Sequence, residues 1–259
     1  MTDLLNGLLA ATNQTESWLW ATFLVFVRVG AVMALLPAFG EQSVPQRVRL
    51  ALTVCFTMII APAVVAQAPG IEEGFTLPLA TEAVAGLALG IGFRMFVFAL
   101  QIAGTLVAQS TSLSQLFGGQ GAEPQPAISH VFVMAGLALA VVSGLHVRVA
   151  EVLILSYNVL PFGVFPDSSI MSDWGVSQIR TAFSLAFSMA APFLAASVIY
   201  NIALGVINRA MPQLMVVLVG APALTLGGLV LMAVATPLML SLWMTAFDAY
   251  LANPYLVAP

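Results

Sequence analysis

Catalysis and metal binding draw on a short list of side chains, and this sequence holds few of them: eleven acids, no lysine among its seven cations, two histidines and one cysteine in 259 residues. His130 and His146 are the histidines, and neither has a second ligand at metal-binding spacing. Each reads as a polar residue near a helix end. Cys55 lies in an apolar run and builds neither a disulfide framework nor a cysteine metal site, so it is expected to pack as a small apolar residue. Gly118-Gly119-Gln120-Gly121 lacks the Lys and Ser/Thr that follow in a phosphate-binding loop. A protease would want a serine-histidine, paired-aspartate or metal constellation, and Asp248 has no second aspartate beside it. The net charge of −4 gives no electrostatic footprint for nucleic acid. No catalytic, cofactor-binding or metal residue is assigned, and the chain is not expected to be an enzyme.

The other chemistry open to these residues is that of charge in apolar surroundings. Arg28, Glu82 and Arg94 lie inside greasy runs, and His146, Arg148 and Glu151 follow a fourth. A charge at the bilayer centre costs about 2.5–3.5 kcal/mol on insertion scales, so these six are expected to be buried polar groups facing protein or water. Arg148 and Glu151 stand three apart, a spacing that pairs them on one helix face. A small-solute secondary transporter with a relay of Arg94, Glu82, Arg148 and Glu151 is one class of function that such residues allow.

The elements that must position them are membrane helices. With 61% hydrophobic and 7% charged residues, the chain departs far from the soluble norm of about 25% charged. It reads as all-α, a polytopic integral membrane protein of about six long hydrophobic helices arranged as kinked hairpins. The apolar runs are residues 18–39, with Trp18 and Trp20 as interfacial anchors, 50–66, 77–108, 131–145, 176–207 and 215–250. The fourth is short of the roughly twenty residues a span needs, so its helix either continues through the charges or is no simple span. The third carries Gly86-x-x-x-Gly90, which lets helix backbones approach closely. Residues 1–17 hold no cation and so lack the positive region of a secretory signal, and the first run is expected to be retained. Residues 161–174 read as a surface loop.

Two hairpin tips echo each other. Pro45-Gln46-Arg47, with Arg49 beyond it, and Arg209 followed by Pro212-Gln213 each put Pro-Gln beside arginine. The positive-inside tendency places both tips in the cytoplasm and the N-terminus outside. Residues 1–259 are taken as a single membrane domain: first helices over 1–111, a central loop over 112–129, and later helices over 130–259. Gly118, Gly119 and Gly121 weaken any helix in that loop, and Pro124 and Pro126 forbid one over the residues before them. Such a segment is an exposed connector or, at membrane depth, lines or fills a pore.

Taken together, several motifs resemble the FliR family, the export-gate subunit of the bacterial flagellar type III secretion apparatus. They are Arg28, Pro37-Ala38-Phe39, Val44 to Arg49, Pro62, Glu123-Pro124, His146 with Ser156-Tyr157, Leu160-Pro161-Phe162-Gly163, Asn208 to Gln213 and Val219-Gly220-Ala221-Pro222. The resemblance covers nearly the whole chain. The sequence departs from it at Leu145, which separates Gly144 from His146, and in a central loop richer in glycine and glutamine. The resemblance implies a non-enzymatic role without cofactors, in the bacterial inner membrane at the flagellar basal body. It implies a hetero-oligomeric channel in which one such subunit joins several copies of FliP and FliQ, with FlhB at the cytoplasmic mouth, and through which unfolded flagellar proteins pass. It makes the central loop the channel plug, with Leu113, Leu116, Phe117, Gly118, Gly119, Gln120, Gly121, Glu123 and Pro124 as plug residues; in such a plug the glycines would give a backbone cheap to displace, and Leu113, Leu116 and Phe117 would seat against an apolar constriction. It also implies that much of the chain faces partner subunits rather than lipid.

Overall fold

The computed structural model describes residues 2–41, 43–70, 74–111, 127–211 and 216–255, and its described elements are helical. Helix α1 (Thr2–Leu35) runs well upstream of the apolar run at 18–39 and ends four residues before that run does; its part Gln14–Leu35 is long and apolar enough to cross a membrane. It stops where Pro37 follows, because proline disfavours helix in the residue before it, and the chain turns with Ala38 in the left-handed region at φ 67°. Helix α2 (Gln46–Val64) starts directly after Pro45, whose φ of −57° already suits a helix. A 3-10 turn, Val65–Gln67, follows it.

Helix α3 (Thr76–Thr111) is the central element, in contact with α1 and with three helices that come later in the chain. Its glycines explain how. A Cβ at Gly86 would lie 2.5 Å from the backbone oxygen of Arg28, so the Gly86/Gly90 face seats α1 at close range. Gly92, on another face, receives the Tyr250 hydroxyl, and Gly104 lies against the Ser129 backbone.

The short fourth run resolves as two helices, α4 (Ala127–Val142) and α5 (Leu145–Val159), bent by 74° at Ser143-Gly144. Gly144 makes the bend with φ 84°, a conformation that a side chain would strain. The helix therefore does not continue straight through the charges: His146, Arg148 and Glu151 belong to a second helix.

Helix α6 (Ser168–Ala210) begins within the stretch 161–174 that reads as loop, and only 160–167 is irregular. Asp167 caps it: its carboxylate accepts from the Ser169 and Ile170 backbone N–H groups, and hydrogen bonds to that carboxylate hold its pKa below the usual value. Helix α7 (Val216–Ala252) closes the fold and carries Pro222 and Pro237 within it.

The core is built around α1 and α3 and takes in one face each of α2, α4, α5 and α6 and the second half of α7. Phe93, Phe96, Trp243, Phe247 and Tyr250 interlock edge-on and stacked, and the Trp243 indole N–H donates to the Phe96 carbonyl at 2.9 Å. Among the described residues, five helices are long and apolar enough to cross a membrane, with a sixth crossing if the bent pair forms one. Only 11% of the most apolar window is buried in α6 and in α7, against 56% in α3. Their outer faces, including Ile199, Ile202, Val206 and Val230, are left to lipid or to other proteins.

Candidate functional site

Three ion pairs tie the described residues together, and one is fully buried. Arg28 on α1 lies beneath the surface with Glu82 on α3. Its Nε donates to Glu82 Oε2 at 2.7 Å and its Nη2 to Oε1 at 2.8 Å, a bidentate fork. Nη2 also donates to the Leu160 carbonyl at 2.8 Å, and Nη1 to the Ser156 hydroxyl at 3.0 Å. The guanidinium lies 3.8 Å from the Tyr157 ring centroid, and the Tyr157 hydroxyl donates to Glu82 Oε2 at 3.3 Å. Every polar arm of the pair thus has a partner. Tyr255, past the end of α7, buries its hydroxyl beside Ser156, while Trp174 holds the same segment by donating to the Pro254 carbonyl at 2.8 Å.

The second pair is at the first hairpin tip. Arg94 Nη1 meets Glu41 Oε1 at 2.6 Å, and Arg49 Nη2 donates to the Glu41 carbonyl at 3.0 Å. The third joins Arg148 on α5 to Asp248 on α7, both about two-fifths exposed.

Several expected site residues are placed otherwise. Arg148 reaches Asp248 rather than Glu151, because it lies at the edge of α5 turned toward α7 whereas Glu151 is on the outer face. Glu151 and His146, expected among the buried groups, are exposed on this chain. The relay of Arg94, Glu82, Arg148 and Glu151 does not assemble, since the first three have separate partners: Glu41 in the α1–α2 turn, Arg28 on α1 and Asp248 on α7. Cys55, expected to be packed, is exposed on α2. His130 is exposed as well, and no group of three metal-ligating side chains occurs among the described residues.

At the tips, Pro45, Arg47 and Arg209 are exposed, whereas Arg49 is half-buried and committed to its own turn. Pro212 and Gln213 lie outside the described residues. So do Leu113, Leu116, Phe117, Gly118, Gly119, Gln120, Gly121, Glu123 and Pro124. The stems on either side of them are described: the Ser129 hydroxyl donates to the Gln101 carbonyl at 3.2 Å, and an open cavity of about 270 Å³ lies between Gln101, Ile102, Thr105, Leu106 and Ser129.

Sequence reasoning missed Glu41 as the partner of Arg94 and Asp248 as that of Arg148. The second pair is separated by 100 positions, and nothing in local spacing reports it. Ser156 and Tyr157 were visible as a motif without their role as ligands of Arg28.

Comparison with known proteins bears on the whole of this arrangement. A protein of Caulobacter vibrioides named "Flagellar biosynthetic protein FliR" is 29% identical over 237 residues, covering 88% of this chain and 93% of its own. A protein of that name from Escherichia coli is 29% identical over 235 residues, 88% of each chain. One from Bacillus subtilis is 28% identical over 212 residues, 78% of this chain and 80% of its own. The family described as "Bacterial export proteins, family 1" matches residues 19–250, from the first span through the last turns of α7. This chain belongs to the bacterial export proteins, family 1.

Proposed function

We propose that this chain is a FliR-type subunit of the flagellar type III export gate, a non-enzymatic wall component of the channel through which unfolded flagellar proteins leave the cytoplasm. The observation that carries this reading is the family match over residues 19–250 together with relatives of that flagellar name aligned over most of both chains. The protein is an inner-membrane component of an export complex. FliP, FliQ and FlhB homologues are the partners this reading assigns. It gains support from α6 and α7, whose apolar outer faces far exceed what the chain covers by itself. No observation favours the transporter, since three of its four relay charges, Glu82, Arg94 and Arg148, are each taken up in a separate structural pair and Glu151 joins none of them.

The plug belongs to the same reading. Gly104 and Ser129 hold α3 and α4 together near the two stems, so that a glycine- and proline-rich segment over 112–126 is anchored on packed helices. Glycine in such a sequence imposes little backbone preference, which suits a seal that substrate displaces.

Removing the gene from its host and assaying secretion of hook and filament proteins tests the function, with the chain resupplied from a plasmid. Loss of secretion and its recovery are expected. Secretion that survives the deletion would overturn the reading. For the plug, deletion of residues 117–122 is expected to leave the complex intact and ion-leaky, and unchanged conductance in an intact complex would exclude it.

A further inference from the structure

Arg180 is the cation that neither the core nor the tips account for. It lies twelve residues after Ser168 on α6, about 18 Å from the helix start at 1.5 Å per residue. It is exposed, and it makes no ion pair or hydrogen bond with the described residues. Its direction is fixed by helix geometry. Gln178, Ala182, Ala186, Met189 and Phe193 lie on the face that packs into the protein, and at 100° per residue Arg180 points away from them, with the buried Ser177 to one side.

The surface around it is apolar. Val176, Ile179, Phe183 and Phe187 are all exposed beside it. A guanidinium amid such groups on a membrane helix is costly against hydrocarbon, and among the described residues no carboxylate pairs with it: Asp173, two turns earlier on the same face of α6, is itself exposed and makes no ion pair with Arg180. Continuing along the same face, Ser184, Ser188 and Ala191 are small and exposed, so that a neighbouring backbone can come close to it.

We propose that the outer face of α6 around Arg180 docks a helix of a neighbouring membrane subunit that presents an aspartate or glutamate to this arginine. The inference rests on the export-complex reading, and it names the chemistry of the partner: an apolar helix with one carboxylate. Arginine suits such a pairing, since its planar fork grips a carboxylate through two hydrogen bonds. A second copy of this chain is the competing occupant, because Glu151 on α5 is exposed and without a partner among the described residues.

The test uses the full chain in its native complex. A photo-crosslinking amino acid at Ser184 is expected to join a different membrane protein, at a helical segment with Asp or Glu within one turn of the attachment point. Arg180→Glu is expected to lower the co-purified complex about tenfold or more, as like charges at an interface do, with Arg180→Lys staying within about twofold of wild type. Changing the mapped carboxylate to arginine is expected to restore assembly with Arg180→Glu. Adducts with lipid alone, with another copy of this chain, or with a segment lacking a carboxylate would overturn the proposal. So would wild-type recovery of the complex with Arg180→Glu. The crosslink is read in complexes whether or not flagellar proteins are exported, so a failed export assay and a failed docking assay are told apart.

Discussion

At the scale of the residue, the consequential difference among the ion pairs is burial. Arg28 and Glu82 are both withdrawn from solvent, and each polar arm is satisfied, so removing one partner strands a charge. Arg28→Leu is expected to destabilise the protein by about 3–5 kcal/mol, whereas Arg28→Leu with Glu82→Leu should regain much of that loss. Thermal unfolding of the detergent-solubilised complex checks it; a double variant no better than the single would mean that the cluster acts through shape, not charge. Asp167 lies at the opposite extreme, fully exposed at the start of α6. Hydrogen bonds from the Ser169 hydroxyl and from the Ile170 and Ser169 backbone N–H groups hold its carboxyl below the ordinary value of 3.8. A depressed carboxylate contributes stability above its unfolded pKa and loses it as pH falls through the folded one. Hydrogen exchange at the first turn of α6, corrected for intrinsic rate, is therefore expected to accelerate as acid protonates Asp167, and Asp167→Asn to remove that step. Sequence alone marked Arg28, Glu82 and Arg94 as needing partners because charge in an apolar run is costly anywhere. It could not name Glu41 or Asp248, since pairing across helices depends on how they pack.

At the scale of the element, the glycines separate backbone effects from packing effects. A Cβ at Gly144 meets nothing within 4 Å, but the residue sits at φ 84°, so Gly144→Ala is expected to cost about 1–2 kcal/mol through the backbone alone. Gly104→Ala places its Cβ 2.4 Å from Ser129 Cα, which is backbone and cannot rotate away, so α3 and α4 must part. That change is expected to cost about 1–3 kcal/mol or more, in the manner of an overpacked core. Gly175 has an ordinary helical φ and open space, so Gly175→Ala should instead stabilise by about 0.5–1 kcal/mol. The midpoint of thermal unfolding should rise with Gly175→Ala, fall with Gly144→Ala and fall at least as far with Gly104→Ala, and a harmless Gly104→Ala would contradict the close approach. The long helices were legible because apolar runs of bilayer length have few alternatives. The 74° bend was half legible: the fourth run was too short, yet whether its helix broke at Gly144 or continued through His146 depended on a glycine conformation that sequence does not display. The start of α6 inside an expected loop shows the reverse case, in which Asp167 was read as a loop residue although the aspartate and two serines that follow form a helix cap.

At the scale of the whole molecule, the number of crossings decides which side each tip faces. If the bent pair α4 and α5 crosses the membrane as one unit, there are six crossings, and the α1–α2 tip and the α6–α7 tip fall on the same side. If the pair enters and returns, there are five and the tips fall on opposite sides. The arginines discriminate, since Arg47 at one tip and Arg209 at the other are both exposed and both favour the cytoplasm. Arg209 also lies in the last turn of α6, where a cation is favourable against the helix dipole. Six crossings therefore satisfy both tips, and five leave one arginine on the disfavoured side. The exposed Cys55 would react in any labelling experiment, so it is first replaced by alanine. In that background, cysteines at Ser43 and Ala210 are expected to react with an impermeant thiol reagent only after the cell is opened. Labelling of Ala210→Cys but not Ser43→Cys in intact spheroplasts would make the bent pair re-entrant, and would move the α6–α7 tip outside.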